Sequence, residues 1–366
     1  MDFVPLIDAI GEPAAFAVIG LALGLAFGAI AERTGFCTRS AALELSHGKA
    51  GRMLPLWLVA FATAVLATQA LIATGLVDLA DTRFFGTAQS LSGAVIGGLL
   101  FGTGMVLTRG CASRLLVLGA SGNLRAIFSV AIIAAIAWAT YQGPLVPLRD
   151  TAAGLLSTSS IGTNDLAVAA GTGAETGLIA GIVLAVLAVV IAVLRKLPPL
   201  YAVAGIAFGA LIPAGWYLTY QFSLQVFEPI QPDSLSFMRP LANTLNFAAS
   251  AGDASFLSMD VGLFAGTVVG AAAASLFAQS FRVRTFADPG TPHWLRYVAG
   301  SVLMGFGGIL AVGCTIGAGF TGGAVLAISS LIALASMLLS AIVADRVVDG
   351  RKVPAVDPAP VAVPAE

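Results

Sequence analysis

Three cysteines are the residues of this chain whose type and setting suggest chemistry. Each lies in a small, polar, glycine-bearing break beside an apolar run: Cys37 in TGFCTRSA (34–41), Cys111 in TRGCASRL (108–115) and Cys314 in VGCTIGAGFTGG (312–323). No CxxC and no disulfide-framework spacing is present. A thiol is a weak hydrogen-bond donor and a soft, polarizable atom. It offers little to sulfate or phosphate and suits a ligand with an exposed, electron-rich sulfur. Gly110 and Gly313 precede two of the cysteines and allow a tight turn. Thr38, Ser40, Ser113 and Thr315 follow and could add hydroxyl donors. Arg39, Arg109 and Arg114 could make a loop entrance positive, or could serve only to set topology. His47 and His293 are far apart, so no multi-histidine metal or haem site is expected, and no cofactor.

After each cysteine comes an apolar stretch too short to complete a crossing: Ala41–Leu45, Leu115–Leu118 and Ile316–Phe320. This is the pattern of a re-entrant half-helix. Non-helical backbone at membrane depth survives only where protein or a water-filled cavity surrounds it. A half-helix starting there presents free N–H groups and a positive dipole end, which transporters use to hold anions.

The elements that must position these breaks are membrane spans. The chain has 366 residues, of which 58% are hydrophobic and 10% charged, where soluble proteins carry about 25% charged residues. Net charge is −1, so the basic footprint of a nucleic-acid binder is missing. About 20 apolar residues cross a bilayer, and nine segments qualify: 13–31, 54–76, 89–108, 123–143, 173–194, 199–220, 260–281, 296–312 and 323–344. The connections 144–172 and 221–259 are too polar to span; either could hold a surface helix or a re-entrant segment. With the N-terminus outside and nine crossings, all but Arg83, Arg149 and Arg239 of the 18 Lys and Arg fall on the cytoplasmic side, as the positive-inside rule requires. The acidic N-terminus lacks the positive region of a cleaved signal peptide. The expectation is one all-α, multi-pass domain over 1–345 in a bacterial-type inner membrane, C-terminus inside, with a disordered tail over 346–366.

The segments GTGMVLTRGC (102–111) and GFGGILAVGC (305–314) match at their Gly, Gly, Leu, Gly and Cys positions in register. The first closes the third span and the second closes the eighth, so the copies point in opposite directions. That is the signature of an inverted repeat, with halves of roughly 13–143 and 199–345. Gly20, Gly24 and Gly28 echo Gly262, Gly266 and Gly270, a spacing that serves helix packing. The same offset puts Gln279 opposite Cys37. The two thiols in the repeated motif, Cys111 and Cys314, are expected near the centre, with Cys37 toward the cytoplasmic side.

On GFC at 35–37, the Gly-Cys pair within GTGMVLTRGC and GCTIG at 313–317, the chain resembles the YeeE/YedE family of sulfur-compound transporters over roughly residues 13–345. The resemblance implies nine spans plus re-entrant segments, an hourglass-shaped bundle with pseudo-symmetry, and a substrate route lined by Cys37, Cys111 and Cys314. It implies import of thiosulfate passed between thiols by S–H···S hydrogen bonds, without large rocking of the protein. It also implies a cytosolic TusA-like sulfur carrier or a sulfurtransferase as partner, since no such domain is fused to the chain.

The residues alone leave other cargoes open: sulfite, persulfide sulfur, selenium species or copper(I). A membrane thiol oxidoreductase is a further alternative, but without CxxC two distant loops would have to meet. No charged residue lies in the middle of a span, which argues against a relay of intramembrane carboxylates.

Overall fold

The computed structural model describes residues 2–48, 51–171, 173–227 and 229–350. Lys49, Arg351, Lys352 and the proline-rich tail lie outside the described residues. Fifteen α-helices follow in order: α1 Val4–Ile10, α2 Glu12–Thr34, α3 Thr38–His47, α4 Met53–Ala73, α5 Leu91–Leu107, α6 Ala112–Ala120, α7 Leu124–Tyr141, α8 Val146–Ala153, α9 Leu166–Ala169, α10 Ala174–Leu194, α11 Pro199–Ser223, α12 Met238–Ala249, α13 Met259–Phe277, α14 Trp294–Leu310 and α15 Ile328–Val348. A π-helical segment, π1, covers Thr315–Gly322 between α14 and α15.

Nine helical segments among the described residues are long and apolar enough to cross a membrane, and they fall on the nine expected spans. The ninth begins at Ile328 rather than 323, because after π1 ends at Gly322 the chain turns through a left-handed Leu326 (φ 56°), with Leu326 N bonded to Gly323 O and Ala327 N to Gly322 O. α15 also runs on past 345. Asp345 and Asp349 are engaged by Arg39, His47 and Arg296, which holds its last turn in place.

Glycine sets how closely these helices approach. A Cβ on Gly20, Gly24 or Gly28 would strike the carbonyl oxygens of Met259, Leu263 and Thr267 in turn. Those on Gly262, Gly266 and Gly270 would strike the carbonyls of Ala17, Leu21 and Leu25. The contacts rise together along both chains, so α2 and α13 run parallel with backbones touching. α5 and α14 meet in the opposite sense: Gly93 lies against Leu310, Gly97 against Gly307 and Gly104 against Gly300. Spans one and seven should be parallel, and spans three and eight antiparallel, if every span crosses and the chain alternates. The helix directions therefore agree with the alternation of nine crossings.

The packing has a regularity of its own. Exchanging α2, α4, α5 and α7 with α11, α13, α14 and α15 turns the α2–α13 contact into α4–α11, and α5–α15 into α7–α14. The α5–α14 and α2–α11 contacts map onto themselves. The short elements obey the same exchange. α3 packs on α4, α5 and α15, as α12 packs on α13, α14 and α7; α6 packs on α7 and α13, as π1 packs on α15 and α4. α10 has no counterpart. It packs on α4 and turns most of its apolar surface outward.

This exchange corrects one sequence expectation. The residue corresponding to Cys37, which immediately precedes α3, is Phe237, which immediately precedes α12; it is not Gln279. The offset that aligned the glycines paired α2 with the helix it packs against rather than with its structural equivalent. The two connections also differ. Residues 232–238 are buried among the helices, while 144–171 lies largely exposed over the ends of α5 and α15.

At Gly24 the obstacle to a side chain is fixed backbone, not the end of a flexible neighbour. A Gly24→Val variant should lose on the order of 1–3 kcal/mol or more of stability, read as a lowered melting temperature in detergent. Gly173→Ala, where a Cβ meets nothing within 4 Å, should melt like the parent.

Candidate functional site

All three cysteines sit in breaks of one geometry. Two residues before each, the chain enters the left-handed region: Gly35 at φ 68°, Arg109 at φ 62° and Val312 at φ 60°. The cysteine itself is extended and is the N-cap of the next helical segment, α3, α6 or π1. Left-handed backbone is strained for a non-glycine residue, on the order of 1–3 kcal/mol, and most of all for a β-branched one. At Arg109 and Val312 the same pair of hydrogen bonds holds it. Arg109 N donates to Val106 O (3.3 Å) and Gly110 N to Met105 O (3.1 Å); Val312 N donates to Ile309 O (3.1 Å) and Gly313 N to Gly308 O (2.8 Å). The shared sequence motif thus encodes a shared backbone break.

In each break the sulfur faces the start of a helix. Cys37 Sγ lies by the N–H of Ser40, Cys111 Sγ by that of Arg114, and Cys314 Sγ by those of Ile316 and Gly317. None forms a regular capping hydrogen bond, so the interaction is electrostatic and the first-turn N–H groups stay available. The third segment is a π-helix of eight residues, a conformation that is rare and concentrates at functional sites.

The structure groups the thiols differently from the sequence expectation. Cys37 and Cys111 are neighbours that interact, and Arg114, three residues past Cys111, donates to Ala31 O at 3.2 Å and pairs with Glu32 beside the first break. The two distant loops do meet. Cys111 Sγ is also 3.5 Å from Ser113 Oγ. Cys314 stands apart, beside the backbone of Phe237, the residue that replaces Cys37 in the structural exchange. All three cysteines are buried and free.

A chain of aromatic rings joins the two levels. Phe36, next to Cys37, stacks on Phe208 with centroids 3.8 Å apart and meets Phe320 of π1 edge-on at 5.7 Å. Phe27 links Phe208 (5.0 Å) to Phe237 (4.6 Å). Trp57 contributes its ring to Phe320 at 5.3 Å and its Nε1–H to Thr38 Oγ1 at 3.2 Å.

Charged groups gather at both ends. At the end where α2 finishes, Arg39 lies 3.8 and 3.9 Å from Asp345 and Asp349, His47 Nε2 lies 3.0 Å from Asp345, and Arg296 grips Asp349 through two bonds of 2.6 and 2.7 Å. The hydrogen bonds from Arg296 hold the Asp349 carboxyl below the usual carboxylate range, despite partial burial. Arg114 pairs with Glu32 at 3.5 Å. Arg109 keeps a buried Nε with no hydrogen-bond partner among the described residues.

At the opposite end a cavity of about 250 Å³ opens beside the Cys314 break, lined by Arg83, Ser236, Arg239, Gly308, Val312 and Gly313 among others. Arg239 makes bidentate bonds to Asp260 (2.7 and 3.1 Å) and reaches Asp233 at 2.7 Å. Arg83 lies 3.4 Å from Asp233 and carries a second guanidinium nitrogen, Nη2, that is buried without a hydrogen-bond partner among the described residues. Ser236 Oγ, against Gly317, and Thr315 Oγ1 are likewise buried and unpaired. The extended segment that supplies Ser236 is pinned by Thr219 Oγ1 to Asp233 O (2.6 Å), Ser234 Oγ to Ile212 O (2.8 Å) and Thr321 Oγ1 to Leu235 O (2.5 Å).

Sequence reasoning passed over Arg83, Asp233, Ser236, Phe237, Arg239 and Asp260. A signal existed for two of them: Arg83 and Arg239 are exceptions to the charge asymmetry of the loops, and both line this cavity. The third exception, Arg149, pairs with exposed Asp150 at the surface. Among the described residues no group of three or more His, Cys, Asp or Glu could hold a metal ion.

The bundle thus sets thiols, helix-start N–H groups and arginines in and beside its breaks. Comparison with known proteins decides the family: the sulphur transport family matches residues 33–343. The chain belongs to the sulphur transport family. Its similar relatives include the thiosulfate transporter TsuA of Escherichia coli (strain K12), 28% identical over 344 residues that cover 87% of this chain and 91% of the relative. A second, the thiosulfate transporter TsuA of Spirochaeta thermophila, is 25% identical over 343 residues covering 86% and 93%. In this family member all three cysteine breaks fall within the matched region.

The paired charges of the cavity can be tested directly. Asp260→Asn leaves a largely buried guanidinium short of a carboxylate and should cost on the order of 1–3 kcal/mol, because hydrogen bonds to charged groups are strong. Asp150→Asn, at an exposed pair, should cost less than about 1 kcal/mol. Thermal unfolding in detergent separates the two.

Proposed function

We propose that this chain is a thiosulfate permease of a bacterial inner membrane, N-terminus outside and C-terminus in the cytoplasm. The substrate would move from the Arg83–Arg239 cavity past Cys314, through the aromatic constriction, to the Cys37–Cys111 pair. The observation that carries the reading is the repeated break: a soft thiol placed at the first turn of a short helical segment, three times along one path. Thiosulfate is a dianion with two unlike ends. Its oxygens require hydrogen-bond donors in place of water, and the free N–H groups at the starts of α3, α6 and π1, with Thr38, Ser113 and Thr315, supply them. Its terminal sulfur is soft and electron-rich, and the thiols donate weak S–H bonds to it without trapping it. Gly110 and Gly313 let the chain turn tightly before the cysteine.

The path needs no fixed cation at mid-depth. Arg83 and Arg239 on one side, and Arg39, Arg109 and Arg114 on the other, mark where the anion enters and leaves. Their carboxylate partners keep each mouth near neutral, so the substrate competes with Asp233 for Arg83 rather than sinking into an uncompensated positive well. We read the exchange of helices described above as an inverted repeat, with α10 as the connection between halves and the 232–249 segment, buried over 232–238, as the fourth re-entrant element. That element carries Phe237 where its equivalent carries Cys37, which accounts for three cysteines in four breaks. A cytosolic TusA-like sulfur carrier or a sulfurtransferase would take the product.

The test is thiosulfate-dependent growth of a host lacking its own thiosulfate and sulfate importers. The parent should restore growth. Cys314→Ala, Cys111→Ala and Cys37→Ala should each reduce it severely with the protein still in the membrane. Normal growth with Cys314→Ala would sink the thiol route. Growth on sulfite or a selenium compound, but not thiosulfate, would reassign the cargo.

A further inference from the structure

We propose that Cys37 and Cys111 form a redox-active dithiol, which a peroxide converts to an intramolecular disulfide that closes the route while Cys314 stays reduced. The closure rests on the permease reading above; the dithiol itself does not.

The argument begins with placement. The two thiols come from different breaks, each with a left-handed residue two positions earlier, yet the breaks meet: Arg114, three residues past Cys111, bonds Ala31 O at 3.2 Å and Glu32 at 3.5 Å just before the first break, and the two thiols interact. Each caps the N-terminal end of a helix, α3 of ten residues and α6 of nine. Partial positive charge at a helix start and a nearby guanidinium are the settings that make a thiol reactive. Here both are present: Arg39 lies within electrostatic reach of Cys37, and Arg109 is two residues from Cys111. Cys314 has no thiol neighbour. Its surroundings are backbone N–H groups and the Phe237 backbone.

The chemistry balances with a peroxide as oxidant. The Cys37 thiolate attacks one peroxide oxygen, the O–O bond breaks, and hydroxide leaves to take up a proton as water; Cys37 becomes a sulfenic acid. Cys111 then attacks that sulfur. The S–S bond forms, the S–O bond breaks, and a second water leaves with the Cys111 proton. Two thiols lose two electrons and two hydrogens; the peroxide gains them. Forming the bond draws the sulfurs to about 2.05 Å and ties the starts of α3 and α6 together. The gap between those starts is the passage the substrate would use. Hydrogen peroxide is smaller than thiosulfate, so a path open to the anion admits it. Transport of reduced sulfur would then stop under oxidative load and resume on reduction.

The experiment uses the full-length protein in detergent and in proteoliposomes. Hydrogen peroxide is added and removed with catalase, the protein is denatured, and free thiols are counted by maleimide labelling and intact mass. Untreated protein should label at all three cysteines, treated protein at one, and treated protein given dithiothreitol at three again. Peptide mapping should find Cys37 joined to Cys111. Cys314→Ser should still lose two thiols to oxidation. Cys37→Ser and Cys111→Ser should yield no intramolecular disulfide, and either variant suffices if the other is poorly folded. Thiosulfate uptake by proteoliposomes should fall severalfold on oxidation and recover on reduction. Retention of three reactive thiols in folded, treated protein, or a link involving Cys314, overturns the proposal. So does unchanged uptake by fully oxidised protein. A disulfide that forms in protein with no thiosulfate uptake even when reduced would leave the dithiol standing and defeat the permease reading.

Discussion

A helix broken inside a membrane bundle leaves N–H and C=O groups that have no water to turn to. The rest of this structure depends on how that constraint is met. Each break passes through a left-handed residue and one extended stretch into a new helix; at Arg109 and Val312 the backbone N–H groups bond the outgoing carbonyls, and at the first break the Thr34 hydroxyl donates to Ile30 O instead. The C=O side is thereby satisfied and the N–H side is left partly open. That asymmetry gives the breaks a positive face, and the cysteine sits on that face.

Close helix packing follows from the same constraint. Irregular backbone must be walled off from lipid, so the surrounding spans have to press against one another. The parallel α2–α13 contact and the antiparallel α5–α14 contact do this through glycines that admit carbonyl oxygens where a Cβ would collide. Such approach allows Cα–H···O contacts, each weak but repeated at every turn.

Much of this was legible in the sequence. The spans were readable because lipid demands long apolar runs, and the Gly-Cys repeat foretold two breaks that share even a left-handed residue at Arg109 and Val312. The segment from Gln231 to Phe237 was not readable. Its polar composition looks like an exposed loop, and only its bonds to Thr219, Ile212 and Thr321 explain its burial. The meeting of Cys37 with Cys111 was invisible for another reason: proximity of two breaks depends on which helices pack, and the glycine spacing that suggested packing does not name the partner. It misassigned Gln279 for that reason. The Arg83–Arg239 cavity left a trace only as residues on the wrong side of a charge rule.

The central claim is that thiols at helix starts select a soft sulfur anion over a hard one. The most direct measurement is uptake of labelled thiosulfate into proteoliposomes in the presence of excess unlabelled thiosulfate or sulfate, for the parent and for Cys314→Ala. The account predicts that thiosulfate competes and sulfate does not, and that Cys314→Ala loses most of its thiosulfate uptake. Equal competition by sulfate, or a Cys314→Ala variant with the parent's rate and preference, would contradict it.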